Sequence, residues 1–227
     1  MTNTSRRTFL SLAGATVVGA GLAGCSIIGG GNTANAPAKV NRPLDKSRTL
    51  IAYFSMPETD DPNNMNQEEA YSMVVIDGKV LGNTQYVAQI IGGRTGAKLF
   101  RIETANKLPL DHGELEDVSR AQQGARERPK LKAMPSDLGG HDTVFIGYPI
   151  WWYDLPMPVY TFLEQNDFSG KNIVLFCTHG SSGLGGTVET VTKMLPDSTV
   201  LGNGFEISRD DMDDAEPQVR DWLASLS

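Results

Sequence analysis

The sequence predicts an α/β fold: a doubly wound, five-stranded parallel sheet in the order 2-1-3-4-5, with helices on both faces and a hairpin inserted after the first strand. Continuous apolar runs alternate with segments of helical periodicity, the pattern of strands that crossover helices cover on both faces. Right-handed crossovers leave few topologies for five such strands, and the doubly wound order suits them. The chemically unusual loops fall after the first, third and fourth strands, at the carboxyl ends where such sheets bind ligands.

The first strand is the run Thr49 to Phe54, closed by polar residues and Pro57. Val74 to Val80 then reads as a hairpin, because Asp77-Gly78 suits a two-residue turn. Asn83 or Thr84 can cap the next helix, in which Val87, Ile90 and Ile91 share a face and which Gly96 ends. Lys98 to Ile102 is the second strand, and residues 113–128 are polar and helix-compatible. Thr143 to Tyr148 forms the third strand; Pro156 opens a helix bearing Val159, Phe162 and Leu163. Ile173 to Cys177 is the fourth strand, followed by a helix marked by Val188, Val191 and Leu195. A fifth strand lies near 199–207, and the last helix starts among Asp210, Asp211, Asp213 and Asp214 and buries Val219, Trp222 and Leu223.

The N-terminus reads as an address. Residues 1–24 combine a positive start, a small-residue apolar run and small residues at its end, the make-up of an export signal. The stretch from Ser5 through Arg6 and Arg7 to Leu10 resembles a twin-arginine signal, which serves export of folded proteins. Leu22-Ala23-Gly24-Cys25 resembles a bacterial lipobox, with Cys25 as the lipidated first residue of the mature chain. Residues 25–47 then form a flexible tether rich in Gly, Asn, Ala and Pro, and 48–227 form the folded domain. The expected location is outside the cytoplasm, lipid-anchored at the outer face of the cytoplasmic membrane or in the periplasm.

Composition excludes several classes. With 227 residues, 40% hydrophobic and 21% charged, the chain suits one domain plus an appendage. Its net charge is −7, and removing residues 1–24 takes away Arg6 and Arg7 but no acid, leaving −9. Such a balance lacks the basic footprint of a nucleic-acid binder. Two cysteines make no disulfide framework and stand in no metal-ligand spacing. Cys177, inside an apolar run, reads as a buried structural thiol.

Three loops carry chemistry. Ser55 follows the first strand, and Gly82-Asn83-Thr84 stands at a helix start, where backbone N–H groups and hydroxyls make an anion site. The same Asn83 and Thr84 also serve as plain helix caps. Tyr148 to Leu155 packs four aromatics into six residues of a chain that is only 7% aromatic, which points to a stacking surface for a planar ring. Thr178-His179-Gly180-Ser181-Ser182-Gly183-Leu184-Gly185-Gly186 is a glycine-rich loop whose backbone N–H groups can face a polar ligand. His179 is the one titratable candidate there, whereas His112 and His141 read as surface residues.

Taken in order, Tyr53-Phe54-Ser55, Gly82-Asn83-Thr84, Gly147 through Trp152, Phe176 through Gly180 and Ser182 through Gly185 make residues 48–226 resemble bacterial flavodoxin-like proteins, which bind flavin mononucleotide (FMN). The resemblance implies that Ser55, Asn83 and Thr84 hold the phosphate. It also implies that Pro149, Ile150, Trp151 and Trp152 on one side, and Thr178, His179, Gly180, Ser182 and Gly183 on the other, flank the isoalloxazine. Two departures stand out. A long segment separates Ser55 from Gly82, bringing Pro57, which has no N–H, and Glu58, a poor neighbour for a phosphate; and Tyr153 and Asp154 follow the tryptophans where many relatives carry a small residue.

On this basis the expected function is extracytoplasmic electron transfer through FMN, with a redox partner protein or a membrane quinone as partner and no required catalytic acid or base. The acids at 210–216 suit either steering of a basic partner or the first turn of a helix. An FMN-dependent quinone or nitro-compound reductase is the alternative enzyme. A nicotinamide fingerprint is incomplete: Gly183 and Gly185 begin one, but Val188 stands where its third glycine belongs. A cofactor-free binding lipoprotein is the alternative without chemistry. A serine hydrolase is disfavoured, since Gly180-Ser181-Ser182-Gly183 lacks the Gly-x-Ser-x-Gly spacing.

Overall fold

The computed structural model describes residues 44–63 and 65–226; the expected export signal, Cys25 and the tether up to residue 43 lie outside the described residues. Leu44 already packs against the domain, and Asp45 caps a short 3-10 turn over Lys46–Arg48. Arg48 then pairs with Asp142, tying the chain entry to the sheet.

The sheet is the one expected. Strand β1 (Thr49–Phe54) is buried along its length and pairs in parallel with β4 (Lys98–Ile102) and β5 (Thr143–Pro149). β5 continues the parallel pairing to β6 (Asn172–His179), so the spatial order is β4-β1-β5-β6. The fifth strand is present in two pieces, β7 (Thr199–Val200) and β8 (Phe205–Ser208), both parallel to β6. The break between them holds Gly202 and Gly204 at positive φ, and a Cβ on Gly204 would meet the Leu175 carbonyl at 3.0 Å. Residue 204 is glycine because its backbone approaches β6 too closely for a side chain.

Between β1 and β4 the chain makes a short helix α1 (Gln67–Ala70), the antiparallel hairpin of β2 (Met73–Ile76) and β3 (Lys79–Gly82), and helix α2 (Asn83–Thr95). Asp77 and Gly78 both take positive φ, as a two-residue primed turn requires. The other helices are α3 (His112–Ala125), α4 (Met157–Glu164), α5 (Thr187–Met194) and α6 (Ala215–Ser225). The acids at 210–214 precede α6 in a 3-10 turn over Arg209–Asp214, where the Ser208 hydroxyl accepts from the Asp210 N–H.

Two cores flank the sheet, as a doubly wound fold demands. On one face Val87 and Ile91 of α2 and Val219 of α6 meet Ile51, Phe145 and Val174. On the other, Val159 and Phe162 of α4 and Val191 of α5 meet Leu50, Ile146 and Leu175. Each such side chain contributes about 1.5–3 kcal/mol by leaving water. Cys177 is fully buried, and burial pushes its thiol well above the ordinary range, which keeps it inert.

Two expectations are corrected here. His141 is buried rather than on the surface: its Nδ1 lies 2.9 Å from the Asp137 carbonyl, and its own carbonyl accepts from the buried Lys171 ammonium at 2.8 Å. Neither Asn83 nor Thr84 caps α2; the N-cap is Gly82, which has no side chain to offer.

Candidate functional site

β1, β5 and β6 end side by side, and a solvent-open cavity of about 220 Å³ lies at their carboxyl ends. It contains ten of the twelve residues that the sequence points to: Ser55, Asn83, Thr84, Pro149, Ile150, Trp151, Trp152, Thr178, His179 and Gly180.

One wall is the start of α2. Gly82 leaves its helix uncapped, and Ser55 supplies what is missing: its Oγ accepts from the Gln85 N–H at 3.3 Å, from 30 residues away. A Cβ on Gly82 would sit 2.1 Å from that oxygen, so the hydroxyl fits only because residue 82 is glycine. Thr84 is buried with its hydroxyl 2.7 Å from that of Thr178. Asn83 donates its side-chain N–H to the Tyr71 carbonyl at 3.0 Å, which fixes the orientation of the amide. Its Oδ1 is then turned inward with no hydrogen-bond partner among the described residues. The dipole of α2 gives this wall about half a positive charge.

A second wall comes from the loop after β5. Trp151 and Asp154 exchange backbone hydrogen bonds of 3.0 Å around a two-residue turn, with Trp152 and Tyr153 at φ of 51° and 63°. Such backbone costs about 1–3 kcal/mol for each non-glycine residue and persists only where surroundings hold it. Helix α3 does so: Trp152 Nε1 donates to the Ser119 hydroxyl at 2.9 Å, Gln123 donates to the Trp152 carbonyl, and the Arg120 guanidinium lies 3.8 Å over the indole. One face of Trp152 is therefore occupied. Trp151 meets Phe54 edge to face at 5.2 Å. Tyr153 is 81% exposed at the tip of the turn, and Asp154 accepts from the Tyr160 hydroxyl.

The third wall follows β6. His179 Nδ1 is buried without a hydrogen-bond partner among the described residues. Arg209 lies beside Gly180, with its guanidinium 4.0 Å over the Tyr71 ring. Ser182 and Gly183 are not brought to the cavity. Leu184 N–H donates to the Glu206 carboxylate at 2.7 Å, and a Cβ on Gly183 would meet that carboxylate at 2.6 Å, so glycine at 183 lets the loop fold onto β8.

Sequence reasoning missed part of the lining. Glu58, Glu116, Ser119, Arg209 and Tyr71 all belong to it, and so does His112, which is not the surface residue expected. His112 Nδ1 lies 2.7 Å from Glu58 Oε2, and the Glu58 side chain is only 2% exposed. Burial pulls the His112 pKa down, but the hydrogen bond and charge of Glu58, with Glu116 and Glu68 behind it, outweigh burial and raise it. A raised folded-state pKa stabilises fully below the ordinary imidazole value of about 6.5, and that stabilisation is lost as pH climbs through the raised value. Urea denaturation of the protein and its Glu58→Gln variant should accordingly differ most below the ordinary imidazole value and draw together as pH climbs through the raised one; a constant difference would mean that the pair is not charged.

The cavity thus joins an electropositive helix start and buried hydroxyls to an aromatic wall. Its two orphaned polar atoms ask for a ligand with hydrogen-bonding groups as well as an anion and a ring. The donor set fits a phosphorylated polyol carrying a planar heterocycle: the helix start suits the phosphate, Asn83 Oδ1 is an acceptor for a hydroxyl, and the tryptophans offer flat apolar surface. Among the described residues no group of three or more His, Cys, Asp or Glu is placed to hold a metal ion. No described helix is long and apolar enough to cross a membrane.

Residues 72–225 match the family model described as Flavodoxin. Among solved structures, a Bacteroides eggerthii protein classed as a flavoprotein is 27% identical, with a TM-score of 0.58 over 79% of this chain and 98% of its own. A Bacteroides uniformis protein of the same class is 24% identical, with a TM-score of 0.58 over 77% of this chain and 98% of its own. A Lactobacillus acidophilus flavoprotein solved in complex with FMN is 19% identical, with a TM-score of 0.52 over 76% of this chain and 98% of its own. No protein with a curated description matches the chain.

Proposed function

Because this chain belongs to the flavodoxin family, we propose that it binds FMN in the cavity at the ends of β1, β5 and β6 and transfers electrons outside the cytoplasm while lipid on Cys25 holds it at a membrane. One observation carries the reading of the site: the hydroxyl-lined start of α2 and the aromatic wall of Trp151 and Trp152 open into the same cavity at the switch point of the sheet.

In this reading Ser55 and Thr84 hold the phosphate end, with Thr178 behind Thr84, while Asn83, whose backbone and side-chain N–H groups donate to the Ser72 and Tyr71 carbonyls, offers its Oδ1 to a polyol hydroxyl. Pro149 to Trp152 and His179 to Gly180 flank the ring, while Ser182 and Gly183 shape the loop without touching the cofactor. FMN supplies the electron chemistry when bound, and the protein orients it and excludes water. The twin-arginine pattern at Arg6 and Arg7 suits a domain that must take up its cofactor before crossing the membrane, and the acidic mature body keeps its distance from anionic headgroups.

The direct test is an absorption spectrum of the protein purified without added cofactor. Two flavin bands, with the released compound identified as FMN by mass, support the reading; a colourless protein that takes up no added FMN overturns it in favour of a cofactor-free lipoprotein. Labelling with a fatty-acid probe, lost in a Cys25→Ser variant, tests the anchor. Trp152→Ala should weaken FMN retention roughly three- to tenfold, the worth of one aromatic stack, and change flavin fluorescence. Unchanged retention and emission would place the stacking face elsewhere.

A further inference from the structure

One full positive charge in the cavity takes no part in the FMN contacts proposed. Among the described residues Arg209 is the only lysine or arginine that lines the cavity, which also carries the carboxylates of Glu58 and Glu116. Arg209 lies outside the three loops that the sequence singles out, on the 3-10 turn that follows β8. Ser208 pairs with His179 across β8 and β6, and its hydroxyl donates to the Gly180 carbonyl at 3.1 Å, which sets Arg209 at the strand end beside Gly180.

The inserted segment holds the guanidinium in place. It lies 4.0 Å over the Tyr71 ring, and Tyr71 is itself fixed: its hydroxyl accepts from the Gln67 side chain and its carbonyl from the Asn83 side chain, both at 3.0 Å. A ring attracts a cation through its quadrupole but supplies no oxygen to the cation's N–H groups. Among the described residues those groups donate no hydrogen bond; the Asp210 carboxylate stands 4.0 Å from Nε, beyond that reach. Arg209 is positioned and charged, with its fork of donors open.

The two sides of the sheet decide which end of a flavin it meets. The 3-10 turn of Arg209 packs through Met212 into the core that α2 covers, whereas Ile150 and Trp151 pack against the core on the opposite side. Tyr71 joins Arg209 to the helix start, since Asn83, the first residue of α2, holds the Tyr71 backbone while Arg209 covers its ring. Arg209 therefore stands at the start of α2 and away from the aromatic wall. That helix start is short of donors: of its first three N–H groups, Asn83 is taken by the Ser72 carbonyl and Gln85 by the Ser55 hydroxyl. A phosphate monoester carries about −1.5 to −2 charge at neutral pH.

We infer that Arg209, carried on Tyr71, supplies the positive charge that holds the phosphate and so makes the site select the phosphorylated flavin over riboflavin. The inference rests on the FMN reading and extends it with a residue from the end of β8 and a task for the inserted segment. A guanidinium gives a phosphate two parallel N–H···O bonds, whereas riboflavin ends in a neutral hydroxyl.

The test titrates FMN and riboflavin, followed by flavin fluorescence, into the protein stripped of flavin and into its Arg209→Gln, Arg209→Lys and Tyr71→Leu variants. The wild type should bind FMN more tightly than riboflavin, with an FMN affinity that falls as salt rises. Arg209→Gln should bind FMN roughly 10- to 100-fold more weakly, the worth of a hydrogen bond to a charged group, with a flatter salt dependence and unchanged riboflavin affinity. Arg209→Lys keeps the charge without the fork and should recover part of the FMN affinity. Tyr71→Leu should weaken FMN by less than Arg209→Gln does and leave riboflavin unchanged. Retained riboflavin binding shows that a variant is folded. Unchanged FMN affinity in Arg209→Gln overturns the inference. Equal loss of both ligands overturns it too, because it marks a structural or ring-facing role, and so does a wild type that binds riboflavin as tightly as FMN. A wild type that binds neither flavin defeats the proposed function instead, a result distinct from all of these.

Discussion

Gly82→Ala is expected to fold and to bind FMN roughly 10- to 100-fold more weakly. The backbone at Gly82 is extended, at φ −66° and ψ 145°, so alanine is conformationally welcome there. The obstacle is steric: its Cβ would fall 2.1 Å from the Ser55 hydroxyl oxygen, with Pro57 N at 3.5 Å behind. Ser55 must rotate away, which uncaps Gln85 N–H and withdraws a hydroxyl from the anion site. Losing the cap costs about 0.5–2 kcal/mol of stability, and losing one hydrogen bond to a charged group costs about 1.5–3 kcal/mol of affinity. Fluorescence titration with FMN and a urea melt separate the two. Ser55→Ala, which removes the hydroxyl without crowding, should reproduce the affinity loss. If both variants bind as the wild type does, the phosphate is not held at this helix start.

Gly147→Ala should damage the fold itself. Gly147 faces Phe176 across the β5–β6 pairing, and a Cβ there would lie 2.0 Å from Phe176 Cζ and 2.2 Å from Cε2. Phe176 is fully buried between Val174, Phe205 and their neighbours, so its ring cannot swing clear. Overpacking of this kind costs typically 1–3 kcal/mol, and about 3 kcal/mol is expected here because the added methyl overlaps a ring with no free volume. The double variant with Phe176→Leu should recover part of the loss, since the two residues share one space. A urea midpoint unchanged in Gly147→Ala would show that the ring relocates freely and that the packing is looser than the contacts imply.

What the sequence discloses depends on how local each signal is. Strands such as Thr49–Phe54 and Asn172–His179 are continuous apolar runs, and the Asp77-Gly78 turn announces its own geometry, so sheet and hairpin are legible. The break in the fifth strand is not, because the two pieces are defined by their pairing with β6, a tertiary contact. Within the site, the residues at strand ends are legible because the doubly wound topology brings strand ends together. The Glu58–His112 pair is not: it joins positions 54 apart, and a histidine opening a polar helix carries no mark of its partner. Asn83 and Thr84 read as caps by composition, yet the capping hydroxyl comes from Ser55, which only folding brings to them. Gly183 is legible as special backbone but not as to purpose, since the Glu206 carboxylate it accommodates lies on another strand.

That long-range cap has an evolutionary consequence. The chain leaves the first strand at Ser55 and returns at Gly82 to within contact distance of where it left. Everything between is an excursion whose two ends are already pinned together by the site. Lengthening such a loop costs only about 0.6 kcal/mol per doubling. The segment can therefore be extended, trimmed or exchanged among descendants while the helix start keeps its capping hydroxyl. Change is therefore tolerated in that excursion more readily than at its two pinned ends.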